Sequence, residues 1–129
     1  MSTIKANTLL HSDGSTTTQP SIPALDQRMA KAWVNFNSVG TVAVRDSYNV
    51  SSVTDNGVGN HQVNFAINMP NSQYSAVASA RYATVNGEGM LSFIQADATS
   101  YVRVSSIFVH SSNYGVRDFD SVYVQVFGN

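Results

Sequence analysis

The stretch HQVNFAINM, residues 61–69, decides the fold class. Val63, Phe65, Ile67 and Met69 alternate with Gln62, Asn64, Ala66 and Asn68, the two-residue period of a strand with one face buried. Moving outward, the period recurs. SYVRVSSIFVH (100–110) sets Val102, Val104 and Phe108 against Tyr101, Arg103 and Ile107, and SVYVQVFG (121–128) lines up Val122, Val124 and Val126. QYSAVASARYATV (73–85) and GMLSFIQAD (89–97) read as further strands, and Trp33–Phe36 and Tyr48–Val53 as the first two. Turn signals separate them at Asp55-Asn56-Gly57, Met69-Pro70-Asn71, Asn86–Gly89, Asp97-Ala98-Thr99 and Asn113-Tyr114-Gly115. About seven short strands with regular turns predict an all-β fold, an antiparallel β-sandwich or jelly roll, over residues 32–129.

Two other zones precede that body. Residues 1–21 carry one short apolar strip (Ile4, Leu9, Leu10) and then a polar tract, too little to bury a core alone. The segment is then either disordered or an extended arm that anchors on something else, and the strip favours the arm. Residues 22–31, IPALDQRMAK, place Pro23 in a first helical turn and Leu25 and Met29 on one face, which predicts a short helical linker.

Composition narrows the function. The chain has 129 residues, enough for one self-sufficient domain. Charged residues make up only 12%, about half the usual share, so Ser, Thr, Asn and Gln must carry solubility. Such a surface suits hydroxyl-rich ligands or copies of the same chain. A net charge of -1 and the lack of a Lys/Arg cluster speak against nucleic acid. No run approaches the roughly 18 apolar residues of a membrane span, and the opening MSTIKANTLL is too polar for a signal peptide, so release by lysis is expected. The absence of cysteine removes thiol nucleophiles, disulfides and thiolate metal sites.

Little reactive chemistry is spaced for use. His11, His61 and His110 have no local ligand spacing and read as polar surface residues, so no metal or other cofactor is expected. Asp118 and Asp120 share one side of a strand start. A glycosidase needs two carboxylates about 5 to 9.5 Å apart across a cleft, which short loops do not readily build. The repeated Arg45-Asp46 and Arg117-Asp118 read as ion pairs holding turns, or as inter-subunit contacts. The small-residue stripe Ala76, Ala78 and Ala80 requires a close neighbour, either the opposite sheet or a second subunit near a symmetry axis. Together with Trp33 it forms the candidate oligomer interface. Among the aromatics, Tyr114 beside Gly115 is the one expected to stand free, with Tyr48 and Tyr101 behind it.

The segment AKAWVNFN…GTVAVRDSYNVSSVTDNGVGNHQVNFAINMPNSQYSAVASA, Ala30 to Ala80, resembles a module of the virion structural proteins of tailed bacteriophages. These are the tail fibre proteins found especially in podophages of cyanobacteria and other aquatic bacteria. The opening STIKANTL is similar to the start of many of them. Thr84 to Asn129 fits less distinctively. The resemblance implies a β-rich, trimeric protein of the virion, made in the host cytoplasm, with no established catalytic residues to carry over, so no enzyme is expected. With no long shaft between arm and module, it implies a short fibre, tip or knob on tail or capsid, attached to other phage proteins through Ile4, Leu9 and Leu10.

If the arm anchors and strands alternate in direction, the far end carries Ser38–Asp46, Pro70–Gln73, Asp97–Ser100 and the C-terminus. The near end carries Asp55–Asn60, Asn86–Gly89 and Ser111–Asp118. Receptor contacts, with a host-surface glycan, are then expected at Arg45, Asn71, Gln73, Thr99 and Ser100. A purely structural decoration of capsid or tail is the alternative, and a small polysaccharide depolymerase a third.

Overall fold

The computed structural model describes residues 3, 5–8, 10–14, 28–82 and 89–128. They form nine strands and, among the described residues, no helix: β1 (Ala32–Asn37), β2 (Ala43–Tyr48), β3 (Val50–Asp55), β4 (Asn60–Phe65), β5 (Ser75–Arg81), β6 (Gly89–Asp97), β7 (Tyr101–His110), β8 (Asn113–Val116) and β9 (Ser121–Phe127). A four-stranded sheet runs in the order β2-β1-β9-β5. A five-stranded sheet runs β3-β4-β7-β6, with β8 attached to β7. All pairings are antiparallel. The fold is the expected all-β sandwich.

One core lies between the sheets. Ala32, Val34 and Phe36 of β1 and Val122, Val124 and Val126 of β9 meet Val63 and Phe65 of β4 and Val102 and Val104 of β7. Phe119, Met69 and Tyr74 close its ends. Ala76, Ala78 and Ala80 also pack against this core, so the stripe serves the close inter-sheet contact that small side chains permit. Their strand neighbours Val77 and Ser79 face outward.

Nine strands replace about seven because two boundaries differ. The predicted strand Tyr48–Val53 is the junction of β2 and β3, which lie in different sheets. Asn49 makes the crossing with a left-handed backbone (φ 53°), a conformation that Asn tolerates better than most residues. Its side chain holds the corner: Nδ2 donates to the carbonyls of Lys31 and Ile67, both at 3.1 Å, and Oδ1 accepts from Ile67 N–H at 2.7 Å. The same bonds draw the chain off the sheet after Phe65. Ile67, expected in the core, is therefore 74% exposed, while Met69 folds back inside. The second boundary is at Asn113-Tyr114-Gly115, a strand and not a turn. The turn is Ser111–Ser112, and Gly115 faces the Phe108 ring, which a Cβ would meet at 3.0 Å.

Of the predicted helix over 22–31, residues 22–27 lie outside the described residues. Residues 28–31 form a turn and a bend, and Lys31 N–H already donates to Val126 in the sheet.

Candidate functional site

The outer face of the four-stranded sheet collects side chains that its inner face excludes. Burying Val34 and Phe36 turns Trp33 and Asn35 outward, and burying Val122, Val124 and Val126 turns Tyr123, Gln125 and Phe127 outward. Register then sets them in rows. Trp33 is paired with Tyr48 on one side and Gln125 on the other, and Gln125 with Val77. In the next row Asn35 lies between Asp46 and Tyr123, with Ser79 beyond. Trp33, Tyr123 and Phe127 are half-buried, and Tyr48 and Gln125 are exposed. Gln125 is exposed, and Asn35 Oδ1 accepts from Arg45. Aromatic faces beside amides and the Asp46 carboxylate match what a sugar ring offers, an apolar C–H face edged with hydroxyls.

Arg45 lies in β2, not in a free loop, and its side chain is exposed. A register shift between Asn35 and Phe36 turns it onto this face, where it covers Ser121. Its guanidinium donates to Asn35 Oδ1 (3.3 Å), Ser121 Oγ (2.9 Å) and the Asp120 carbonyl. The expected ion pair with Asp46 does not form, and Asp46 instead accepts from Ser47 N–H at 2.9 Å. Arg117 lies over the Phe108 ring, 4.3 Å from its centroid.

The other expected receptor residues do come together, but at the opposite end from that foreseen. Asn71 and Gln73 are exposed in the β4–β5 crossover, where Asn71 Oδ1 accepts Gln73 N–H. Thr99 and Ser100 form the β6–β7 turn, and their carbonyls accept from Met69 and Phe65. This end also holds Asn49 and Lys31, the point where the chain enters the sandwich. Residues 38–46, expected as one end-loop, contain the start of β2. That extra strand reverses the phase of every later loop. The end remote from the entry point carries the β1–β2 turn, the β3–β4 turn, the β7–β8 hairpin and Tyr114, which is 77% exposed.

His61 is also unlike its expectation. It is 1% exposed, inside the end remote from the entry point, with its ring centroid 5.5 Å from that of Phe36. The β4 alternation that buries Val63 and Phe65 buries it too. Nε2 lies 3.9 Å from both Asp55 and Asp118, and neither ring nitrogen has a hydrogen-bond partner among the described residues. Burial holds its pKa below the usual value, against the attraction of Asp118 and then Asp55. Asp118, expected beside Asp120, accepts Gly59 N–H at 2.7 Å. His11 Nδ1 lies 3.0 Å from an Asp13 carboxylate oxygen, and His110 lies near Ser111. Among the described residues no group of His, Cys, Asp or Glu is arranged to hold a metal.

Ile4 and Leu9 lie outside the described residues, and Leu10 is exposed. Asn35, Tyr123 and Gln125 were not singled out from sequence. The outward positions of SVYVQVF carried the signal, since burying every valine of that strand leaves Tyr and Gln to the other face. Comparisons with protein-family models, with curated proteins and with solved structures found no match to this chain.

Proposed function

We propose that this chain is a virion structural protein of a tailed bacteriophage, a short fibre, tip or knob that attaches to a glycan on the host surface. In this reading residues 1–21 bind tail or capsid proteins, the sandwich is displayed as a homo-oligomer, and no reaction is catalysed. The carrying observation is the outer sheet face, where Trp33, Tyr48 and Tyr123 stand beside Asn35, Asp46 and Gln125. The resemblance of Ala30–Ala80 to tail fibre proteins and the 12% charge content support the same reading. The receptor site therefore moves from the Asn71, Gln73, Thr99 and Ser100 end to this face.

The test is competition. Purified protein should block adsorption of the phage that encodes it, and a Trp33→Ala/Tyr48→Ala variant should not. Virions whose copy lacks residues 1–21 should have lost the protein. Incorporation without any effect on adsorption would favour a purely structural decoration.

A further inference from the structure

We propose that β8 is an assembly edge, pairing antiparallel with β8 of a second copy about a two-fold axis at Gly115. Among the described residues the strand pairs only with β7, through Ile107↔Val116, Phe108↔Gly115, Val109↔Tyr114 and His110↔Asn113. Polar groups in an antiparallel ladder point alternately towards and away from the partner. Arg117 N–H donates inward, to Ser106. By that alternation Asn113 and Gly115 also face β7, and Tyr114 and Val116 turn their N–H and C=O groups outward.

The side chains at this edge are apolar and exposed. Tyr114 stands opposite Val109, and Val116, 56% exposed, stands opposite Ile107. Besides keeping edge strands short, as β8 is with four residues, natural sheets protect open edges with charges or bulges. The other edge strands here carry them: Arg45 and Asp46 on β2, Asp55 on β3, Arg81 on β5 and Asp97 on β6. Register shifts further interrupt the pairings of β2, β3 and β6. The sequence of β8, NYGV, has neither charge nor shift.

Its chemistry fits a copy of itself. Centred on Gly115, the pairing sets Tyr114 of each chain against Val116 of the other. Arg117 falls opposite Asn113, so no like charges meet. Glycine faces glycine where the two backbones come closest. The two five-stranded sheets become one continuous sheet, and a closed two-fold contact gives even-numbered assemblies, not the trimer that the resemblance implies.

Sedimentation of the full chain tests this together with Tyr114→Lys and Val116→Pro, the latter removing an N–H that the ladder to β7 does not use. The wild type should sediment as a dimer. Each variant should raise the dissociation constant by ~30-fold or more, the scale of a lost interface hot spot, with unchanged circular dichroism. In the wild type, amide exchange at Tyr114 and Val116 should be slow at high concentration and quicken on dilution. That readout decides the matter even if a variant does not fold. A monomeric wild type, a trimer, an oligomer indifferent to both substitutions, or exchange at those amides that ignores concentration would overturn the proposal.

Discussion

Ser38 and Phe119 lie 81 residues apart in the chain and exchange three hydrogen bonds. Ser38 N–H and Oγ–H both donate to the Phe119 carbonyl at 3.0 Å, and Phe119 N–H donates to Ser38 Oγ at 2.8 Å. Both residues are buried, and the contact ties the β1–β2 turn to the loop entering β9. Ser38→Ala leaves the Phe119 amide unsatisfied, so a loss of about 1–3 kcal/mol is expected in urea unfolding. The secondary structure should be unchanged.

Asn49 holds the crossing between the sheets by conformation and by side chain together. Asn49→Ala should cost about 2–4 kcal/mol, the left-handed backbone penalty plus lost hydrogen bonds. Asn49→Gly keeps the backbone free and loses only the bonds, so its cost should be clearly smaller. Equal losses in the two variants would show that the conformation carries no penalty here.

These contacts explain what could be read from the sequence. Alternation in residues 61–65, 101–104 and 122–127 reports directly on burial, because each strand has one face in the core. The crossing at Asn49 has no such signature: the pattern runs on from Tyr48 to Val53 while the chain changes sheets. Ile67 fits the strand period yet leaves the sheet because a side chain far behind it in sequence captures its backbone. His61 obeys the same alternation, and only its polarity suggested a surface position. The outer-face rows depend on register between strands distant in the chain, which no local pattern contains.

The alanine stripe gives a packing prediction. Ala78 faces the core from β5 opposite Val124. Ala78→Leu forces extra methylenes between the sheets and should destabilise by about 1–3 kcal/mol, measured by denaturant midpoint. At a subunit contact alone, the same change would alter the oligomer and leave the unfolding of the monomer untouched.

Acid should weaken the fold through His61. Its pKa in the folded state is lowered from 6.5, chiefly by burial, so the unfolded chain takes up the proton first. This contribution is fully present above pH 6.5 and is lost as pH falls from there through the lower folded value. Unfolding free energy followed from neutral to mildly acidic pH should decline, and the decline should be shallower in His61→Phe. An identical slope in that variant would place the acid sensitivity elsewhere.

The proposed binding face contains the chain's single tryptophan, Trp33, paired across the strands with Tyr48 and Gln125. Its fluorescence is therefore the most direct probe of the attachment account. Titration with a panel of polysaccharides from aquatic bacteria should give, for the host's polymer, a saturable change in emission. That change should weaken by ~10-fold or more in Tyr48→Ala, as for a stacking residue at an interface centre. If the protein blocks phage adsorption while Trp33 emission responds to no polysaccharide, attachment does not use this face.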